Sequence, residues 1–333
     1  MKVVHVVRSD GFAGVEAHIL ALAPALSDLG VDVRVIGGDP GRISQPLQDR
    51  GIAHYPATSV PEVVRRLALL RDWHPDLVHS HMTAAELGAL PAYPVLRAAL
   101  VTTRHFAGLR GRGRPWQRPY RLLDRVATQV SVSRAVAEAI DTPSTVIHPG
   151  VTPPPPARER SRTILIAQRL DAEKDTAVGV EAFRRSRLAE RGWRLLIAGR
   201  GAQEPALRSL PDEAVEVLGY RTDVRDLMAR ASILLATSAF EHFGISVVEA
   251  MAAGTPVVAT ARAGHLETVG ALSPETLFAP GDSAGAAAIL ADLADDPPRR
   301  ARLGETLHRD YLARFTVHEC AQRHLALYED LVR

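Results

Sequence analysis

Cysteine is almost absent from this chain of 333 residues: Cys320 stands alone, so neither an internal disulfide nor a multi-thiolate metal site can form. A lone thiol of this kind is expected as a small buried hydrophobe. Lysine is nearly missing as well, since Lys2 and Lys174 are the only two although lysine and arginine together number 40. A pyridoxal phosphate phosphorylase would need a Schiff-base lysine, and outside the N-terminus only Lys174 could supply it. No excess of one charge exists either. The 40 basic side chains face 38 acidic ones, and a net charge of +2 gives no molecule-wide field for holding nucleic acid or an anionic membrane. No run of 18 apolar residues occurs, so no membrane-spanning helix is expected. The opening MKVVHVVRSD turns charged at Arg8 without the long apolar core or cleavage site of a signal peptide, and reads as a first strand. A reducing cytoplasm is the expected setting, with peripheral contact at the inner face of the membrane left open.

What is present is a repeated alternation. The short β-branched runs KVVHVV, VDVRVI, DLVHSH, LVTTRH, QVSVS and TVIHPG come first, and TILIAQ, RLLIAG, AVEVLG, SILLAT and PVVAT follow, with helical patterns between them. Strands separated by helices imply βαβ units and parallel sheets covered on both faces, an α/β class. In the first helix Ile19, Leu22, Leu26 and Leu29 form one apolar stripe before Gly30 ends it. Four prolines, Pro153 to Pro156, separate the two strand series as a semi-rigid connector. The expected division is an N-terminal domain over 1–152, a C-terminal domain over 153–315, and a last helix over 316–333 that could pack on either, the N-terminal one being favoured.

In such sheets ligands bind at the carboxyl ends of strands. Three strand-to-helix connections carry candidate chemistry there. Gly11 and Gly14 in DGFAGVEAHIL open the first helix, where a backbone could approach an anion, although the stretch is not a dinucleotide fingerprint. Arg169 and Lys174 in RLDAEKD share one loop, either as a diphosphate clamp or as ordinary solvated charge. The stretch EHFGISVVE places Glu241 in a loop, Gly244 at a helix start and Glu249 about one turn into that helix. Five residues at about 1.5 Å rise put Glu249 roughly 7 Å beyond Gly244, and the loop to Glu241 adds more, which argues against a retaining glycosidase pair about 5 to 5.5 Å apart and leaves an inverting pair open. Between the carboxylates the amides of Phe243 to Ser246 form a helix N-terminus suited to phosphate. His79 and His81 share one face of their strand as a possible metal pair; the sequence offers no third ligand nearby.

Taken together, GFAGVEAHILALAPAL, DLVHSHM, QRLDAEKD and above all EHFGISVVEAMAAGTPVVAT resemble the retaining glycosyltransferases of family 4, with weaker echoes in VLGYRTDV and FAPGD. That resemblance implies the GT-B fold, two Rossmann-like domains with parallel sheets facing a central cleft, and a nucleotide-diphosphate sugar as co-substrate with no metal and no other cofactor. It places Arg169 and Lys174 on the diphosphate, Glu249 on the ribose hydroxyls and Glu241 on the transferred sugar. Phe243, Gly244 and Ile245 would offer amides to sugar and phosphate, Gly14 would approach the phosphates from the other domain, Arg221 would flank the base, and His81 would face the sugar. Transfer with retention follows, to an acceptor that is a glycan, a lipid-linked sugar or a small-molecule hydroxyl.

Three positions depart from the family pattern: Gln168 stands where glycine is common, Pro149 where asparagine is common, and AGHLE has one glycine where two are frequent. These bear on sugar preference more than on the reaction. The segment RHFAGLRGRGRPWQRPYR gathers Arg104, Arg110, Arg112, Arg114, Arg118 and Arg121 around Trp116 and Tyr120, and could meet an acidic acceptor, anionic headgroups or only solvent. Two other functions use the same donor pocket, a nucleotide-sugar epimerase and a non-catalytic donor-binding subunit.

Overall fold

The computed structural model describes residues 1–8, 14–108, 110, 117–140, 142–154 and 159–333. It divides into two compact units, Met1–Gly150 joined by Thr316–Arg333, and Val151–Phe315. Both are parallel-sheet, Rossmann-like domains. Among the described residues no helix is long and apolar enough to cross a membrane.

The first unit holds seven strands: β1 (Lys2–Val7), β2 (Asp32–Ile36), β3 (Ala53–Tyr55), β4 (Leu77–His81), β5 (Ala99–Arg104), β6 (Ala127–Ser131) and β7 (Thr145–Val146), in the order β3-β2-β1-β4-β5-β6-β7. Every pairing is parallel, and the register sets His5 of β1 beside His79 of β4. Parallel strands buried on both faces read as near-continuous apolar runs, and β1 is buried at five of its six positions. One face is covered by α1 (Gly14–Asp28), whose Ile19, Leu22 and Leu26 enter a core shared with Cys320, Ala321 and Tyr328 of the C-terminal helix. The opposite face has its own core around Val4, Val6, Val63, Leu67 and Val78.

The second unit has six strands: β8 (Thr163–Ala167), β9 (Arg194–Ala198), β10 (Val215–Gly219), β11 (Ile233–Ala236), β12 (Val257–Thr260) and β13 (Leu277–Phe278), ordered β10-β9-β8-β11-β12-β13 and all parallel. The two helices that matter for the site are α2 (Thr176–Arg185), which follows β8, and α3 (Ile245–Ala252), which follows β11. The last helix, α4 (Val317–Val332), is started by Thr316, whose side chain accepts from the Glu319 amide at 3.1 Å, and it packs along α1.

In each sheet the strand order reverses at one place, between β1 and β4 and between β8 and β11. Such a switch point leaves a crevice outside the carboxyl ends of the two strands, because their helices leave to opposite faces. Arg169 and Lys174 follow β8, Glu241 follows β11, and the histidines of β1 and β4 lie at the corresponding place in the other unit.

Candidate functional site

At the β8/β11 switch point the structure brings two predicted residues into contact. Lys174 Nζ donates to Glu241 Oε2 at 2.6 Å, with side chains only 14% and 17% exposed. Burial pushes the Glu241 carboxyl upward, but Lys174 more than offsets it and holds the group below the usual carboxylate range. Glu241 is therefore ionised at neutral pH and acts as an acceptor only.

The backbone of Lys174 is held by residues that no motif singled out. Gln168 Nε2 donates to the Lys174 carbonyl at 2.9 Å and lies 3.0 Å from the hydroxyls of Thr176 and Thr237, while Thr237 Oγ1 donates to the same carbonyl at 2.8 Å. Gln168 thus does here a job that glycine could not: its amide fastens the end of β8 to the loop carrying the lysine. Its only signal in the sequence was its departure from the family pattern.

Arg169 is placed differently. It is exposed and ion-paired with Asp171 and Glu173 of its own loop. It still shares an environment with Lys174, since both cations act on His242, whose pKa is lowered chiefly by burial.

Gly244 caps α3 with φ of 94°, left-handed backbone that a side chain rarely adopts, and no side chain occupies the helix start. The first amides of α3, from Ile245 onward, have no intrahelical partner and present the positive end of the helix dipole. Phe243 is buried beside Phe315. A Cβ on Gly244 would stand 3.2 Å from His265 Cδ2 and 3.6 Å from Glu241 Cγ, so His265 packs directly against the helix start. His265 lies in the AGHLE stretch and is a further residue that sequence reasoning passed over. Its Nδ1 is 2.9 Å from Thr260 Oγ1, whose own proton goes to the Ser238 carbonyl, so the imidazole is the donor of that pair and its Nε2 carries the lone pair. Burial holds its pKa at about 4 against the pull of Glu241. The single glycine of AGHLE is required by close approach, because a Cβ on Gly264 would meet the Phe243 backbone at 2.6 Å.

Glu249 lies one turn into α3, and its carboxylate has no hydrogen-bond partner among the described residues. Burial raises its pKa to about 7, with Arg225 pulling weakly the other way. A shielded carboxylate with its lone pairs uncommitted is suited to accept hydrogen bonds from a pair of hydroxyls.

The remaining predicted positions are more scattered. Arg221 follows β10 and is exposed, with Nε and Nη2 bonded to Asp223 at 2.8 and 2.6 Å. Beside it the Tyr220 ring, 47% exposed, lies 4.9 Å from the Arg200 guanidinium and offers a flat face next to a cation. Gly14 is the first residue of α1, and Gly11 falls outside the described residues.

His81 is fully buried, its Nε2 3.0 Å from His5 Nδ1 and its Nδ1 3.1 Å from His105 Nε2. The sequence showed His79 and His81 without a third ligand; the fold corrects this by placing His5 beside them. In the arginine-rich segment Arg104 and Arg110 are internal rather than displayed. Arg104 bonds the Gly108 carbonyl at 2.8 Å, and Arg110 is ion-paired with Glu86 and Asp124 under the Tyr120 ring. Arg121 is exposed, while Arg112, Arg114, Trp116 and the Arg118 side chain lie outside the described residues.

Two family profiles match the chain, Glycosyltransferase Family 4 over residues 12–153 and Glycosyl transferases group 1 over residues 152–309. Glycogen synthase of Mycobacterium tuberculosis is 29% identical over 72% of this chain and 66% of its own length, so the chain spans just under two thirds of that relative. A 2-deoxystreptamine N-acetyl-D-glucosaminyltransferase of Streptomyces fradiae is 26% identical over 92% of this chain and 88% of its own. Among solved structures, Anabaena Alr3699/HepE in complex with UDP-glucose superimposes with a TM-score of 0.80 at 22% identity, covering 99% of this chain and all of that one. At that identity the likeness is one of fold.

Proposed function

Since the chain belongs to glycosyltransferase family 4 and has the GT-B fold, we propose that it is a retaining transferase whose C-terminal unit holds a nucleotide-diphosphate sugar. One observation carries this reading. Along a single strand-loop-helix, an ionised carboxylate paired with the buried lysine, an open helix N-terminus and an uncommitted carboxylate follow one another in the order that sugar, diphosphate and ribose have in a donor.

Glu241 accepts from hydroxyls of the sugar. Lys174 and the amides at Gly244 and Ile245 take the phosphate oxygens, Arg169 joins them by exchanging its local carboxylates for phosphate, and Glu249 accepts from the ribose diol. Tyr220 and Arg221 flank the base. When the bond between the anomeric carbon and the diphosphate oxygen breaks, negative charge grows on the phosphate just where these donors point. Preorganised donors of this kind are worth roughly 3 to 4 kcal/mol each when well aimed. The acceptor oxygen joins the anomeric carbon on the face the diphosphate leaves, and its proton passes to a departing phosphate oxygen, so no protein base and no metal at the diphosphate are required.

The test is a purified chain given a panel of nucleotide-sugars with a range of sugar and small-molecule hydroxyl acceptors, without added magnesium or manganese. Transfer with the donor's anomeric configuration kept, read by proton NMR of the product, is the expected result. Inversion, epimerised donor, or normal turnover by Glu241→Ala refutes the assignment.

A further inference from the structure

Six histidines from five segments of the N-terminal unit meet in its interior: His5 of β1, His18 of α1, His79 and His81 of β4, His105 just after β5, and His324 of α4. His79 and His81 lie with ring centroids 4.2 Å apart, and His5 sits 5.0 and 5.3 Å from them. One ligating nitrogen from each of these three falls within 4.8 Å of the others. All are buried except His105, which is partly exposed.

A hydrogen-bonded core network accounts for the nitrogens of His79 and His81, but not for every ring of the cluster. Buried ring nitrogens almost always find a partner. Here His5 Nε2, His324 Nε2 and both nitrogens of His18 have none among the described residues. His324 is the clearest case, because its Nδ1 donates to the Cys320 carbonyl at 2.9 Å, so its Nε2 must be a bare lone pair directed into the protein.

We propose that His5, His79 and His81 bind one divalent transition metal ion, with zinc the expected occupant and His18 in reach of the fourth position. Two nitrogens on one tetrahedral zinc, each about 2.0 to 2.1 Å from it, stand about 3.3 Å apart. His5 Nδ1 and His81 Nε2 are already 3.0 Å apart. His81 then keeps its Nδ1 proton for His105 Nε2, and His79 keeps a hydroxyl partner, Tyr328 or Thr103, on its other nitrogen. Imidazole alone suits a borderline ion such as zinc, and Cys320 does not compete, since its sulfur lies on the bonded side of His324 and burial pushes its pKa to about 12.

The site lies beside the β1/β4 switch point, in the N-terminal unit alone, and it stands whether or not the donor reading does. A tag-free chain, stripped with chelator and shown to be folded by circular dichroism, is titrated with Co²⁺ and with Zn²⁺. The expected result is about one ion per chain and an intense visible cobalt spectrum without a thiolate band. His5→Gln and His81→Gln each weaken cobalt binding at least about tenfold, as loss of metal support does. His54→Gln, which is bonded to Ser44 and the Gly37 carbonyl away from the cluster, leaves binding unchanged. A folded wild-type chain that takes up neither ion, or uptake undiminished in both variants, overturns the proposal. Should the variants not fold, the wild-type spectrum decides: low-symmetry nitrogen ligation upholds the site, and a thiolate band or the weak spectrum of hydrated cobalt refutes it.

Discussion

Glu249 provides the sharpest test of how the donor is held. Its pKa of about 7 arises because burial disfavours the charge and no donor compensates it. A ribose diol would supply the missing donors and favour the ionised form. At pH 6 roughly a tenth of the free protein then has Glu249 ionised, and at pH 8 roughly nine tenths. Affinity for donor should therefore rise nearly tenfold over that range, about 1.3 kcal/mol. Titration calorimetry of a nucleotide-sugar without acceptor reads it directly, because both phosphates are esterified and do not titrate in the window. Repeating the titration at pH 6 in buffers of different ionisation heat should show close to one proton released per donor bound. Glu249→Gln should bind more weakly at pH 8 and lose the pH dependence. The same substitution acts oppositely on the free protein. A folded pKa raised from 4.5 to about 7 means that stability present below the unfolded value is lost as pH rises through the folded one, at most about 3 kcal/mol. Glu249→Gln should therefore unfold later in guanidinium at pH 8 and not at pH 4. A pH slope equal in wild type and variant refutes the role given to Glu249.

Three further outcomes follow from the same geometry. Glu241→Gln keeps the shape but removes the charge that holds Lys174, and should lower kcat by about 100-fold or more with a smaller change in KM, measured by initial rates. Gln168→Gly should restore the residue common in the family yet raise KM for donor by several-fold, since each hydrogen bond lost from the Lys174 loop is worth about 0.5 to 1.5 kcal/mol; an unchanged KM shows that the loop holds itself. Gly264→Ala forces a methyl into the Phe243 backbone and should cost about 1 to 3 kcal/mol of stability in a denaturant titration, with donor binding lost in the same variant as Gly244 shifts.

Much of this was legible because it is local. The strand runs lie where the pattern put them, but β3 (Ala53–Tyr55) and β13 (Leu277–Phe278) were not seen, being edge strands of three and two residues, too short to show a period. TVIHPG pairs only at Thr145–Val146. Glu241, Gly244 and Glu249 could be read in order because one loop and one helix carry them all. Arg110 could not, because its partners Glu86 and Asp124 come from other segments and turn a surface-looking arginine inward. The histidine cluster is the extreme case: the register that sets His5 against His79 links residues 74 apart, and α4 adds His324 from the far end of the chain.

The scarcity of lysine meant something more specific than a phosphate contact. Lys174 is paired with Glu241 and Arg169 with Asp171 and Glu173, so each cation already has a carboxylate. A diphosphate must displace these pairs, and part of its binding energy goes into that exchange. The exchange is cheap at Arg169, itself 63% exposed with partners 30% and 50% exposed, and costly at Lys174, whose pair is shielded. Lys174 therefore gives up Glu241 only if the incoming sugar satisfies the carboxylate it leaves behind. A nucleoside diphosphate without its sugar cannot do so. If the donor is held as proposed, the pair lets the site tell intact donor from spent nucleotide, through a lysine whose backbone is fixed by Gln168 and Thr237 rather than through any contact to the base.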